Sequence, residues 1–490
     1  MNLAFNNERY IELQKEAILK RASAFHKLYI EVGGKLFDDY HAARVLPGFD
    51  ANNKINILLS LKEKSEVVIA INSNDIKNRK IRSDLGITYD VEVERLIRTF
   101  LEMGLDVNSV VFSFYEPNVE VDKFMRKLKR MKIQTYKHYK IAGYPQDASL
   151  IVSDNGLGKN EYISTSKDIV IVTAPGPGSG KMATCLSQLY HDQKHGIISG
   201  YAKYETFPVW NLPLNHPVNI AYEAATIDLN DVNMIDPYHL DAYGTSSVNY
   251  NRDIEVFPLL RNIFMNISGS CMYKSPTDMG INMVGFAIEN DEEIKKASNE
   301  EIIRRYYQTK KDVLLGKLED EAVTKCEMLM NRLGLAANQR KVVEFANEKA
   351  KASGSPAIAI ELHDGRVITG KRSKLFAQSA ALLLNALKAL AGINDEIPLL
   401  TPMVIEPIMN LKVESFKNNN PIIHAEEILI ALAIQANTNP LANLALKKLP
   451  ELAGCEAHAS CMINTNDLKL LNKIGVRVTE EPISLLFKIN

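Results

Sequence analysis

Three glycines and a lysine crowd one short stretch: Gly176, Gly178, Gly180 and Lys181 in APGPGSGKMAT, residues 174–184. Glycine reaches backbone conformations that turn successive N–H groups towards one point. A helix starting there adds the positive end of its dipole, and lysine adds a mobile point charge. Ser179 and Thr184 add hydroxyls. Together these suit a polyphosphate, and the apolar run at 169–173 supplies the strand that should lead into the loop. The P-loop pattern G-x-x-x-x-G-K-[ST] is met only in part. Gly180 and Lys181 fit, but Pro175 stands at the first glycine. Met182 replaces the Ser or Thr that would hold magnesium, with Thr184 two residues on as its substitute. The plain alternative is a strand-to-helix turn that only packs.

Other ligand groups should follow the carboxyl ends of neighbouring strands, where open parallel sheets bind their ligands. That rule selects Gly33, Gly34 and Lys35 after the first strand, with Asp39, His41 and Arg44 behind them. It selects Asn72 and Asp75 after the second, and Asp154 after ASLIV as a further cofactor contact. Lys203 and Glu205 follow, then Asp228, Asp236, His239, Arg252 and Asp253 in a long polar and aromatic excursion over 206–290. Lys35, Lys203, Glu205, Asp236 and His239 are the candidate catalytic groups. Magnesium prefers carboxylate oxygen, so Asp228 and Asp236 are its candidate ligands. Each residue is equally a common cap or turn former.

A zinc site is tempting at His424-Ala425-Glu426 with Cys455 and Cys461. The deaminase pattern needs two residues between its cysteines and a preceding proline, and neither is present. No zinc is expected. His424 and Glu427 instead open an amphipathic helix, while Glu456 and His458 alternate on a short strand and share a face. These four are candidates for one polar cluster, the plain alternative being a helix start beside a strand.

The elements that must position these groups read as α/β. Apolar runs at 67–71, 109–114 and 168–173 alternate with helical stretches, which indicates a mainly parallel, doubly wound, P-loop- or Rossmann-like sheet. A chain of 490 residues needs several cores. We expect a phosphate-loop domain over 1–290, a helical subdomain over 291–355 and a smaller C-terminal α/β domain over 356–490. A net charge of -1 gives no bulk reason to expect nucleic acid or an anionic membrane as partner. Five scattered cysteines, no long apolar window and no secretory signal point to the cytoplasm.

The stretches 33–49, 171–192, 200–226, 231–240, 249–255 and 273–282, with GGKLFDDYHAARVLPGF, GYAKYETFPVWNLPLNHPVN and NYNRDIE among them, resemble the bacterial family of domain of unknown function 1846. The resemblance covers nearly the whole chain, including His424, Glu427, Glu456 and His458. Cys455 and Cys461 fall where the family has other residues. It implies a cytosolic bacterial protein with a large N-terminal α/β domain and a smaller C-terminal one, and no particular reaction. The residues themselves favour a phosphorylated small molecule or nucleotide as ligand. The expected activity is an NTP-dependent phosphotransferase or hydrolase, using ATP or another NTP with magnesium. A non-catalytic nucleotide or phosphometabolite sensor is the alternative, as is an enzyme acting on a phosphorylated substrate without NTP. A homo-oligomer is left open.

Overall fold

The computed structural model describes residues 4–34, 36–82, 86–418 and 421–483. Contacts divide the chain into two compact units, Met1–Ser298 and Asn299–Asn490.

The first unit is built on seven strands: β1 (Lys27–Val32), β2 (Ser65–Asn72), β3 (Asp106–Ser113), β4 (Gln134–Lys137), β5 (Ile169–Thr173), β6 (Ser199–Tyr204) and β7 (Gly280–Ile281). Their order across the sheet is β4-β3-β2-β5-β1-β6-β7, and every pairing is parallel. The apolar runs explain this, because a strand covered on both faces keeps no polar side. All five residues of β5 are buried, as are seven of the eight in β2. Val68, Val111, Val170 and Val172 pack with Leu186, Leu189, Phe257 and Leu260. Each such side chain contributes roughly 1.5–3 kcal/mol when fully buried.

Three expectations change here. The run at 148–152 is not a strand. Asp147 accepts a hydrogen bond from the Leu150 N–H at 3.0 Å and caps a short helix, Ala148–Ile151. An aspartate before a short apolar run caps a helix as readily as it ends a turn. Conversely, β6 has the sequence SGYAKY, with no apolar run to announce it, yet five of its six residues are buried. The excursion over 206–290 is also more regular than its composition suggests. It contains the helices Pro217–Ala225, Pro237–Tyr243 and Asn251–Ser268, and an antiparallel pair, Asn233–Ile235 with Val248–Tyr250.

The second unit carries a mixed four-stranded sheet: β8 (Ala357–Glu361), β9 (Val367–Lys371), β10 (Glu456–Ala459) and β11 (Arg477–Glu480), in the order β9-β8-β10-β11. Its first two pairings are antiparallel and the last is parallel. The β8–β9 turn carries Asp364-Gly365, with Gly365 at φ +83°. Ile358, Ile360, Leu382, Leu383, Leu387 and Leu432 form its core. The helices Glu321–Arg332 and Lys341–Ser353 fall within this unit.

Candidate functional site

The loop after β5 is held by side chains from the ends of neighbouring strands. Asn72 Nδ2 donates to the Gly178 carbonyl at 3.2 Å, and Ser113 Oγ to the Ser179 carbonyl at 2.9 Å. Ser179 Oγ donates to the Gly176 carbonyl at 2.8 Å. Two glycines have separate reasons. A Cβ on Gly180, at φ +87°, would lie 2.7 Å from Ser113 Cβ. Gly178, at φ +73°, would meet nothing within 4 Å and faces open space. The helix Lys181–Lys194 starts directly after Gly180, and no side chain caps its first turn. Lys181 is therefore its first residue. Its Nζ lies 4.0 Å from Glu31 Oε1, and its side chain is mostly buried.

Glu31 joins the loop to a buried charge cluster at the ends of β1 and β6. It is the register partner of Lys203, and it accepts the Tyr201 hydroxyl at 2.7 Å. Lys203 Nζ lies 2.5 Å from Asp253 Oδ2 and 3.6 Å from Glu205 Oε1. A Cβ at position 33 would sit 2.7 Å from Glu205 Cγ, so a side chain there would force Glu205 to move. Lys54 Nζ donates to the Gly33 carbonyl at 2.8 Å and stands 3.6 Å from Asp39, which braces the turn after β1. A small cleft of about 30 Å³ is lined by Lys203, Glu205, Asp253, Trp210 and Asn249.

The electrostatics follow from three carboxylates around one ammonium. Burial raises the Glu205 pKa, and Asp253 and Glu31 add to the rise against Lys203 and Lys54. Burial alone would lower the Lys203 pKa, but Glu205, Asp253 and Glu31 outweigh it and the pKa is raised. Lys203 thus keeps its charge, and Glu205 holds a proton more readily than a free carboxyl.

Models of the family described as domain of unknown function DUF1846 match residues 3–334 with their N-terminal part and 338–485 with their C-terminal part. The chain belongs to the DUF1846 family. A UPF0371 protein of Streptococcus pneumoniae strain JJA is 54% identical over 480 residues, covering 98% of this chain and 97% of that protein. A UPF0371 protein of strain ATCC BAA-255 / R6 is 53% identical over the same length and coverage.

In this DUF1846 member, the remaining candidates are spread over the first unit. Asp154 is not at the strand ends, because the expected strand before it is a helix. It accepts hydrogen bonds from Tyr190 at 2.9 Å and from Lys194, at the far end of a 14-residue helix and so roughly 20 Å from the loop. Thr184 is buried, and its Oγ1 donates back to the Gly180 carbonyl at 3.0 Å. Both oxygens of Asp236 are engaged: Oδ1 accepts the His239 N–H, and Oδ2 accepts the N–H and hydroxyl of Thr277. Asp236 is a helix cap that braces the excursion, while Asp228 is exposed on a short turn. His239 is likewise a brace, 3.1 Å from Ser275 Oγ and against Trp210 and Tyr243. Lys35 lies outside the described residues.

Lys203 and Glu205, in contrast, stand together at the sheet edge. Glu31 was missed by sequence reasoning, although a signal existed: an acid inside the strand KLYIEV has no reason to be there unless a partner meets it. Among the described residues no three His, Cys, Asp or Glu are grouped to hold a metal ion, and no helix is long and apolar enough to cross a membrane.

Proposed function

We propose that the carboxyl edge of the seven-stranded sheet binds a phosphorylated small molecule, with a nucleotide the first candidate, and is an active site for phosphoryl transfer or hydrolysis. What carries this reading is the meeting of three features at the end of β5: an uncapped helix start, a glycine turn open to solvent, and Lys181 as the first helical residue. Backbone N–H groups of that turn and the helix dipole would hold the phosphate, and Lys181 would pair with its outer oxygens. The strand order supports the same place. The connection from β5 leaves towards β6, whereas those from its neighbours β1 and β2 leave in the other direction. With right-handed crossovers these run over opposite faces, the doubly wound pattern of P-loop and Rossmann-like sheets, and a crevice opens beyond β5. Lys203 would stabilise charge developing in the transition state, and Glu205 would act as general base on the attacking hydroxyl or water.

Met182 and the engaged Thr184 hydroxyl favour a second reading, in which the ligand is a phosphorylated substrate or effector bound without an NTP–magnesium complex. A thermal-shift screen separates them. The full chain would be tested with nucleoside triphosphates, each with and without magnesium, and with sugar phosphates. Magnesium-dependent stabilisation by a triphosphate with release of phosphate supports the first reading. Stabilisation by a monophosphate ester alone supports the second, and no shift with any of these overturns both.

A further inference from the structure

We infer that the C-terminal unit holds a second, separate ligand site, a pocket of about 240 Å³ that takes a short-chain organic acid, its carboxylate on Arg372 and its hydroxyl or amine on His424. The pocket lies where three loops meet. One follows β9 and carries Arg372, one precedes the helix Ala425–Gln435 and carries His424, and one precedes the helix Thr465–Lys473. A parallel bridge between Phe376 and Ile423 pins the first two loops together.

Asp467 organises the polar wall. It is buried, and its Oδ2 accepts hydrogen bonds from Ser379 and from His424 Nδ1, the latter at 3.0 Å. Its Oδ1 accepts the Ala425 N–H at 3.0 Å. Burial works to raise the Asp467 carboxyl, but these three donors hold it below the usual carboxylate range. An ionised Asp467 accepts only, so Nδ1 of His424 must carry its hydrogen. That commits Nδ1 to Asp467 and leaves Nε2 to meet a ligand. Nε2 has no hydrogen-bond partner among the described residues, and the side chain, 37% exposed, lines the pocket. A histidine oriented by a buried carboxylate, with its second nitrogen unspent, is built to receive a hydrogen bond or a proton from something not in the fold.

Arg372 is the second open group. Its guanidinium is half-buried at the pocket and makes no hydrogen bond or ion pair among the described residues. The forked donors of arginine match a carboxylate in a bidentate pair. Ile422, Ile463 and Met462 add apolar surface to the lining beside Gln378 and Asn464. The volume falls below the ~300–1,000 Å³ usual for drug-sized ligands, which favours a small acid over a nucleotide. A short aliphatic segment bearing a carboxylate at one end and a hydrogen-bond donor near it meets all three surfaces.

The test uses the full chain and ligand-observed NMR with short-chain 2-hydroxy and 2-amino acids, with acetate and inorganic phosphate as comparators. At least one hydroxy or amino acid should bind saturably and more tightly than either comparator. Arg372→Ala should weaken it about tenfold or more, the loss of a charge-assisted pair. His424→Asn keeps a helix-capping residue and should weaken hydroxy or amino acids while leaving acetate unchanged. Lys181→Ala, in the other unit, should have no effect, which keeps this result separate from the proposed function. No binding by any acid, tighter binding of phosphate, or equal binding in Arg372→Ala and His424→Asn would each overturn the inference.

Discussion

The two units present their polar groups in different ways. In the first, the groups are strung along strand ends: the loop after β5, Glu31 on β1, Lys203 and Glu205 at the end of β6. The parallel sheet sets their spacing, and their charges are already paired inside the protein. In the second, loops of quite different sequence position bring Arg372, His424 and Asp467 together, and two of these keep unspent hydrogen-bonding capacity. The first edge is therefore a tightly coupled electrostatic unit, and the second a set of side chains with only one internal anchor. That contrast is open to test by substitution, and the largest effects belong to the coupled unit.

Removing one member of a buried pair leaves the other unpaired, at a cost of about 3–5 kcal/mol. Lys203→Ala strands Asp253, whose side chain is only 6% exposed, and takes the shared cation from Glu205 and Glu31. The change should lower the unfolding midpoint of the first unit by that order in urea denaturation. Asp467→Ala in the second unit strands neutral donors and should cost less, roughly 1–3 kcal/mol. Equal losses would erase the distinction between a coupled edge and an anchored pocket.

Acid should also weaken the first unit. Burial lowers the His138 pKa from 6.5 to about 4. Its Nδ1 has no partner, and its Nε2 meets the Glu161 carbonyl at 3.1 Å. The unfolded chain takes up a proton below about pH 6.5 that the folded state refuses until about pH 4. Stability should fall as pH drops through this window, by on the order of 3 kcal/mol. A His138→Gln variant should show a flatter pH profile over the same range. An unchanged slope would mean that other groups drive the acid transition.

A smaller effect separates the two glycine roles in the loop. Gly180→Ala meets both a left-handed φ and Ser113, so it should cost about 1–3 kcal/mol. Gly178→Ala meets only the left-handed φ and should cost about 1 kcal/mol. Its new methyl would face the open side of the loop, so its main effect should be on ligand binding. If both variants lose stability equally, the open side of the loop is not open.

The difference between the units also explains what the sequence disclosed. Strand runs such as VVIAI and IVIVT are legible because a strand buried on both faces has no polar residue to disguise it. The loop at 174–181 follows directly from such a run. Strand β6 was not legible: its Gly, Lys and two Tyr residues are buried by position in the sheet and carry no apolar signature. Asp236 and His239 were attractive for their residue types, yet type alone does not distinguish a cap from a ligand. Asp154 failed because ASLIV was read as a strand when Asp147 makes it a helix. The C-terminal pocket left almost no sequence trace, since Arg372 and Asp467 are ordinary loop and first-turn residues until the fold brings them to His424.

The central claim is that Lys181 serves a ligand and not the fold. Titration of the tightest phosphorylated ligand into wild-type and Lys181→Ala protein, with the melting temperature of each free protein, tests it directly. Among the described residues Lys181 makes one ion-pair contact, at 4.0 Å to Glu31, so the free variant should lose about 1 kcal/mol, the centre of the range for single substitutions. Binding should weaken ~10–150-fold, the loss of a charge-assisted hydrogen bond of about 1.5–3 kcal/mol. A variant that melts markedly lower yet binds the ligand as tightly as wild type would contradict the claim.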